Sequence, residues 1–575
     1  MKKRKNIREK GITLVALVVT IVVLLILAGV TISFALSNNG IIEKARIARD
    51  THIEAQENET KQLNEIEKTM EEINGVHKDE FNEEKKVNSP VIKTGLVPVK
   101  FENGNIVHTT KDDEDWYDYN SRKWANAQSD DGSLWVWIPR FAYRIKTGYH
   151  LNQTGTIEIK FLKATTDDYY NEDGTTGTAQ RCGNENEIVN TTSDFTVHPA
   201  FTNESSINYR NGGWDKELTG IWVSKFEAGY ANAKEDGTDI LNGTKVISSD
   251  NKNTAPVKES SVYYNQPDGV VWAPPIEGKT YNASLNQNDF ISSRNWIDGT
   301  YENNPTKIKY PTFQGSTYSM NYINHNDSYL IAKALTETGN IYGFNNNRID
   351  SHLVKNSEWG AIAYLSHSKY GYIGAGKTDI ALNTKNLNNG DQSVTKENGN
   401  KKASAYAVTG YNDNNQEWNN GGESASSTAN IYGIYDLRGG LWERTTGYVA
   451  NSDPKLKKYG SNMVYNGENL ITKSNKYITV YPSNDSGQTV IDTASSINFG
   501  LSNKIYGDAV YETSSDGQGK NSWTTDYSHF PALDAAFFVF GGRWSNGEFA
   551  GLFSYDRDNG FSHFVDGFRV VLVEK

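Results

Sequence analysis

Cysteine is nearly absent from this chain of 575 residues, in which Cys182 is the only one. A single cysteine excludes an internal disulfide, so stability must come from a packed core or from bound ions. Basic residues are also in deficit, with 58 Lys and Arg against 70 Asp and Glu, which gives a formal net charge of -12. Because binding to phosphate backbones requires a basic face, this balance argues against nucleic acid as a main partner.

Motifs of common catalytic sites are missing as well. The ten histidines show no H-x-x-x-H or H-E-x-x-H spacing, and no G-x-S-x-G elbow is present. The stretch Gly371–Thr378 matches the phosphate-binding pattern G-x-x-x-x-G-K-[ST]. That chemistry needs a strand before the loop and a helix after it, whereas a helix-like segment precedes this one and a polar loop follows it. We interpret the match as chance, and we expect no catalytic residue and no metal or other cofactor ligand.

An acidic run at Asp112–Asp118 is the one candidate for a bound ion. Its carboxylates are the ligands that Ca²⁺ takes. The run lacks the spaced D-x-D-x-D-G pattern, which favours a solvated loop over a structural calcium site.

The longest hydrophobic run is 12–36, which contains no charged residue. A bilayer is spanned by roughly 20 helical residues, so this run predicts a transmembrane helix rather than a cleaved signal peptide. The basic residues that precede it predict a cytoplasmic N-terminus. We therefore expect a single-pass protein of the cell membrane with its C-terminal domain outside.

The junction Gly11-Ile12 resembles the leader of type IV prepilins, in which a prepilin peptidase cuts after the glycine. The resemblance implies a basic leader over 1–11 and cleavage between these two residues. Ala16 stands where that family has Glu, so a minor pilin, a pseudopilin and a simply anchored protein all stay open.

Residues 37–88 are charged, and Leu63, Ile66, Met70 and Ile73 follow helical spacing. The pattern predicts a stalk helix, with a solvated linker as the alternative. The composition of residues 89–219 predicts a β- and loop-rich first part of the globular head, with a buried strand at Ser133–Phe141 and an insertion after it. The clearest helix candidates are Tyr329–Thr336 and Ser357–Leu365.

Four motifs in residues 220–575 carry a family resemblance. They are Gly220–Glu227 (GIWVSKFE), Ser357–Ala361 (SEWGA), Asn430–Glu443 (NIYGIYDLRGGLWE) and the closing pair GGRW and GFRV within Gly541–Leu572. In this order they resemble the formylglycine-generating-enzyme (sulfatase-modifying factor) family, which has a C-type-lectin-like fold. The expected fold class is therefore α+β, with a transmembrane and stalk helix ahead of a loop-rich lectin-like domain with insertions.

The resemblance implies a scaffold without the family's oxidase chemistry. Enzymes of that family bind copper with two late cysteines, and no cysteine follows Cys182. An oxidase or modifying enzyme is thus the disfavoured alternative.

The segment 541–572 also resembles the variable region of proteins that retroelements diversify, in which a GGxW…AGLF…GFR frame surrounds changeable positions. No regular period runs through Ser554–Asp566, and its mix of aromatic and small polar residues is typical of a contact surface. The resemblance implies a ligand-binding role for Arg543, Ser545, Phe549, Ser554, Asp556, Arg557, Asp558, Phe561, His563 and Phe564. We expect these residues to hold a protein or glycan ligand at a cell or phage surface. The alternative is that the phenylalanines are buried core.

Overall fold

A computed structural model gives the structure of the chain. It describes residues 81–93, 95–181, 189–203, 211–234, 270–271, 291–292, 311–321, 323–337, 340–385, 407–561, 563 and 565–575. All of these belong to one compact unit, Asp79–Lys575. The predicted leader with its Gly11-Ile12 junction, the hydrophobic run 12–36, most of the predicted stalk and Cys182 lie outside the described residues.

The strands up to the first α-helix come mostly from the N-terminal half of the unit. In chain order they are β1 (Phe81–Asn82), β2 (Val87–Asn88), β3 (Val97–Glu102), β4 (Asn105–His108), β5 (Asn126–Gln128), β6 (Leu134–Pro139), β7 (Phe141–Thr147), β8 (Thr156–Phe161), β9 (Asp168–Tyr170), β10 (Thr176–Thr178), β11 (Thr196–Val197), β12 (Gly220–Ser224), β13 (Gly229–Lys234), β14 (Val270–Val271), β15 (Ile291–Ser292), β16 (Pro311–Thr312) and β17 (Thr317–Ser319).

Helices and strands alternate in the remainder. They are α1 (His325–Ala334), β18 (Ile349–Leu353), α2 (Asn356–Ser366), β19 (Trp442–Val449), α3 (Pro454–Val464), β20 (Tyr465–Asn466), β21 (Asn469–Leu470), β22 (Thr479–Tyr481), α4 (Ile491–Leu501), β23 (Gln518–Gly519), β24 (Ser528–His529), β25 (Phe537–Gly541), β26 (Gly551–Asp558), β27 (Asp566–Phe568) and β28 (Val570–Glu574). Short 3-10 turns occur at Tyr119–Ser121, Pro199–Phe201, Tyr372–Ala375, Glu423–Ala425, Trp523–Thr525 and Gly547–Phe549.

The first large sheet has the strand order β18-β28-β12-β6-β5-β3-β4. Its centre is β6, whose sequence LWVWIP is buried at every position, as expected for aromatic and β-branched residues in a strand covered on both faces. Trp222 of β12 lies opposite Trp137 of β6. Strands from 89–219 and from 220–575 therefore share one sheet, and the buried strand predicted over Ser133–Phe141 is confirmed by β6.

The second large sheet positions the candidate site. Its order is β22-β19-β25-β26-β24-β23, and β27 pairs in parallel with β19. Every residue of β19 is buried. The predicted helices at Tyr329–Thr336 and Ser357–Leu365 correspond to α1 and α2, and Glu358 accepts a bond from the backbone N–H of Lys355 at 2.8 Å, which caps α2.

The predicted fold class needs correction at its N-terminal end. The stalk helix was expected to reach residue 88, but Phe81–Asn82 and Val87–Asn88 form an antiparallel hairpin. Phe81 and Val87 are buried there, so these residues join the globular unit instead of extending a helix. In the described residues the chain is a sheet-rich mixed structure with four α-helices, and the predicted class with an N-terminal helical stalk is wrong for them.

The membrane prediction is corrected on the same ground. Within the ranges that the structure describes, no helix has both the length and the apolar character needed to cross a bilayer. The expectation of a single-pass membrane protein with an extracellular domain is therefore wrong for this part of the chain.

A pair of buried carboxyls, Asp508 and Glu512, makes stability depend on pH. Glu512 accepts hydrogen bonds from the hydroxyls of Tyr143 and Tyr364, each at 2.9 Å, and from the N–H of Gly507 at 2.7 Å. Burial raises the pKa of Asp508 to about 7, and the charge of Glu512 adds to the increase. Burial also raises the pKa of Glu512.

We expect the free energy of unfolding to fall as pH rises from about 5 to about 8. The folded chain holds protons on these carboxyls that the unfolded chain has already released, so this contribution is complete at low pH and is lost as pH passes the folded pKa near 7. The loss is on the order of 2 kcal/mol. Urea unfolding of the full chain at several pH values measures it.

The hydroxyl of Thr191 also donates to Glu512, at 2.6 Å. Glu512→Gln is the matched variant, because an amide can keep the oxygen that Tyr364 and Gly507 bond while its NH₂ group donates to the Thr191 hydroxyl. The variant removes one titrating group and one like charge, so its free energy of unfolding should depend less steeply on pH. Stability that increases between these pH values would contradict the assignment.

Candidate binding pocket

Residues from three of the four sequence motifs meet inside the protein at Arg569. Its guanidinium makes a bidentate ion pair with Glu443, with Nε and Nη2 at 2.9 and 2.6 Å from the two carboxylate oxygens. Nη1 donates to the carbonyl of Ser224 at 2.7 Å, and Nη2 donates to the carbonyl of Tyr435 at 2.8 Å. Arg569 and Glu443 are both fully buried. The motifs therefore form an internal frame, and their charged residues are used for structure.

Trp359 of the second motif ties this frame to the last hairpin. Its indole Nε1 donates to the carbonyl of Leu552 at 2.9 Å, and its ring lies 5.3 Å from that of Phe540. Gly542 has a φ of +77°, and a Cβ there would come within 2.5 Å of Ala550. Position 542 therefore requires glycine. The contacts of this frame fix the point at which the 543–549 turn leaves the sheet.

The segment predicted to be irregular, Ser554–Asp566, begins as a strand. Gly551–Asp558 forms β26, which pairs with β25 on one side and β24 on the other. Tyr555 is buried and Ser554 is fully buried. The period was hidden because residues on both faces of β26 are buried up to Tyr555, so no alternation of polar and apolar residues results.

A pocket of about 450 Å³ opens where β26 ends. The 543–549 turn, the end of β26 and the 561–566 loop form its walls. Seven of the ten predicted ligand-binding residues line it: Arg543, Phe549, Asp556, Arg557, Asp558, Phe561 and His563. The structure thus brings most of the predicted set onto one shared surface.

The other three predicted residues have different positions. Ser545 is exposed but does not line the pocket, and Ser554 is buried within β26. Phe564 lies outside the described residues. Phe561 and His563 are partly exposed, so the alternative in which the aromatic residues are buried core does not describe these two.

Sequence reasoning missed the pocket residues that come from other strands. Trp442 begins β19, Val539 belongs to β25, and Tyr527 precedes β24. The sequence marks Trp442 only as part of a family motif. Nothing in the sequence near Tyr527 indicated a site, because its place depends on the parallel pairing of β24 with β26.

Arg444, which is fully buried, holds the floor of the pocket. Its Nη1 lies 2.7 Å from Asp558 and its Nη2 lies 2.8 Å from Asp566. It also donates to the carbonyl of Phe561 at 2.6 Å and to Nδ1 of His325 at 2.5 Å. One side chain thus joins Asp558, Phe561 and Asp566 to β19, which fixes these three residues relative to the sheet.

The carboxyls of the pocket differ in the direction in which their pKa values are shifted. Burial raises the pKa of Asp556 to about 7 and that of Asp566 to about 7. Burial opposes ionisation of Asp558 too, but the charge of Arg444 and the hydrogen bond that Arg444 donates to this carboxylate outweigh burial and hold the pKa of Asp558 below its usual value. Burial lowers the pKa of His563 to about 4, so its imidazole is neutral at physiological pH.

The rim combines cations with aromatic rings. Arg557 pairs with Asp492 at 3.0 Å, and Nζ of Lys520 lies 3.7 Å from the centre of the Phe549 ring. The ring of Phe561 contacts that of His563, with centroids 5.6 Å apart. Nε of Arg543 is buried and has no hydrogen-bond partner among the described residues. Arginine and aromatic side chains of this kind are typical of recognition surfaces.

Two stretches of the described ranges were candidate sites, one for a metal ion and one for a phosphate. No group of three or more His, Cys, Asp or Glu residues there is arranged to hold a metal ion. In the acidic run, Asp113 pairs with Lys100 at 2.6 Å and accepts a bond from the N–H of Asp115. The Gly371–Thr378 stretch follows α2 and contains a 3-10 turn, so it lacks the strand, loop and helix order of a phosphate-binding loop.

Comparison with known proteins gives no assignment. No protein-family model matches the chain, and no curated protein matches its sequence.

Proposed function

We propose that this chain is a non-catalytic binding protein, whose ligand is a segment of another protein held in the pocket at the end of β26. The shared pocket of seven predicted residues is the observation that carries the proposal. Arg444 supports it, because a floor fixed by buried ion pairs allows side chains on the walls to vary without loss of the fold. The mixed charges and aromatic rings favour a protein over a simple apolar ligand.

We also propose a distant relationship with the formylglycine-generating-enzyme family and a variable role for the pocket positions. Support comes from three of the four motifs, whose residues meet around Arg569, and from Trp359 of the remaining motif, which donates to the carbonyl of Leu552. On this proposal the frame is constant, while Arg543, Phe549, Asp556 and Phe561 change between copies of the gene. Sequencing the gene and its flanks in many isolates tests it.

Substitutions should concentrate at these four positions and spare both the frame and the floor residue Asp558. The gene should lie beside a near-copy of the Gly541–Leu572 coding stretch, which differs mainly where the copy has adenine. A gene for a reverse transcriptase is expected nearby. Substitutions spread evenly over 541–572 would count against the variable role and leave the binding proposal to the following test.

Binding is tested by probing arrays of purified cell-surface proteins and of glycans with the full chain and with Phe561→Ala and Arg557→Ala. We expect a protein spot whose affinity falls about tenfold or more in each variant, because truncation of a central aromatic or Arg residue commonly costs about 2 kcal/mol. Leu151→Ala, at a side chain that is 49% exposed and outside the pocket, is the control and should bind like the natural chain. Binding to glycans alone would show that the ligand is a saccharide and not a protein. Binding that neither pocket variant weakens would refute the site.

A further inference from the structure

Helix α4 adjoins the pocket on one side. Asp492, in its first turn, pairs with Arg557 of the pocket at 3.0 Å and lies 3.1 Å from Nε2 of His529. Gln518 of β23 donates to the backbone carbonyl of Asp492 and, at 2.6 Å, to the hydroxyl of Ser496. The start of α4 is therefore joined through side chains to the rim of the pocket.

The exposed surface of α4 carries almost no charge. Asp492 is the single charged residue among the eleven of this helix, and its carboxylate is already paired with Arg557. The other exposed positions are Thr493, Ser496, Gly500 and Leu501. A helix at the protein surface ordinarily presents charged residues to water. Small uncharged side chains cost little free energy when a partner removes them from water, and charged residues are depleted at the centre of protein interfaces.

Apolar side chains lie at both ends of this surface. Val490, the N-cap residue, is 58% exposed, and Leu501 at the other end is 39% exposed. Val490 is the most exposed of the large hydrophobic side chains in the part of the chain that the structure describes. It is also unsuited to its position in the helix, because a valine side chain cannot accept a hydrogen bond from the first turn. An exposed residue that breaks a local rule indicates a role in binding.

The size of the pocket shows how far a protein ligand must reach. Each partner in a stable protein complex loses about 800 Å² of surface. A pocket of about 450 Å³ can hold only a few side chains, so most of this area has to come from the surface around it. Helix α4 is a neighbouring surface that is joined to the rim and whose composition suits burial.

We propose that the partner is a folded protein that inserts side chains into the pocket and also lies across α4, with apolar residues against Val490 and Leu501. This contact rests on the proposed function of the pocket and extends it. Because α4 lies outside 541–572, its surface stays the same when the pocket positions change. The helix recognises a feature that all partners share, and the pocket selects among them.

The test compares Val490→Asp with Phe561→Ala on the array of purified cell-surface proteins. Asp is a favoured N-cap residue, so Val490→Asp should keep or raise the stability of α4 while it places a charge in the contact. We expect an array protein whose affinity falls about tenfold or more in each variant. Ile106→Asp, at an exposed side chain of β4 in the first large sheet, is the control and should bind like the natural chain.

Amide hydrogen exchange of the chain, with and without that array protein, locates the contact. We expect exchange to slow about tenfold or more both in α4 and in the 558–561 segment of the pocket. A ligand held by the pocket alone would protect only the second of these.

Three results would overturn the proposal. Binding that Phe561→Ala weakens and Val490→Asp does not, or protection confined to the pocket, would remove the contact with α4 and leave the proposed function intact. Binding that neither pocket variant weakens, or an array on which no protein is bound, would refute the proposed function and this contact with it. A free chain that sediments as a dimer, and as a monomer after Val490→Asp, would show that α4 binds a second copy of the chain instead.

Discussion

Arg569→Met is expected to lower the free energy of unfolding by about 3–5 kcal/mol, the usual result of removing one partner from a buried ion pair. The side chain of Arg569 has no exposed surface, and neither has that of Glu443, its bidentate partner. After the substitution the carboxyl of Glu443 would stay buried without its cation. The carbonyls of Ser224 and Tyr435 would also lose their donor.

Urea unfolding, followed by tryptophan fluorescence and circular dichroism, measures the change. Glu443→Leu combined with Arg569→Met removes both charges and should recover part of the loss, because no uncompensated carboxyl remains. Lys457→Met is the control, since Lys457 pairs with Glu468 at the surface and such pairs contribute about 0–1 kcal/mol. Equal losses for Arg569→Met and Lys457→Met would contradict a structural role for the buried pair.

The frame could largely be predicted from the sequence because its signals are local. The run Leu134–Pro139 has the aromatic and β-branched residues of a buried strand, and Ser357–Leu365 has helical character, and both elements are present. The end of the stalk could not be predicted, because Phe81 and Val87 are isolated apolar residues in a charged segment. Only their contacts with the folded unit make them part of a hairpin.

The pocket was predictable only in part, for a related reason. Arg543, Asp556 and Phe561 lie in one short segment, so a pattern within that segment could select them. Arg444 could not be found in this way, since it lies 114 residues before its partner Asp558 and its function follows from the parallel pairing of β27 with β19. Its neighbour Glu443 was noted only as the end of a family motif.

Arg444→Met should have a second large effect, which is strongest at high pH. It leaves Asp558 and Asp566 beneath the pocket without a cation, which is expected to cost about 3–5 kcal/mol at about pH 8. Loss of the guanidinium raises the pKa of both carboxyls, so the folded variant takes up protons that the unfolded chain binds only at lower pH. The deficit should therefore shrink as pH falls towards about 5.5.

The location of the damage separates this effect from that of Arg569. Amides in the 558–566 loop should exchange faster in Arg444→Met even where the rest of the chain stays folded, because the carbonyl of Phe561 loses its donor. Arg543→Met is the matched control, since Arg543 lines the same pocket without an ion pair to Asp558 or Asp566 in the described structure. A loss of unfolding free energy that does not depend on pH, or unchanged amide exchange in the loop, would show that Arg444 acts only by filling volume. If both expectations hold, the shape of the pocket depends on a charge buried beneath it, and the residues on its walls can change while its floor stays constant.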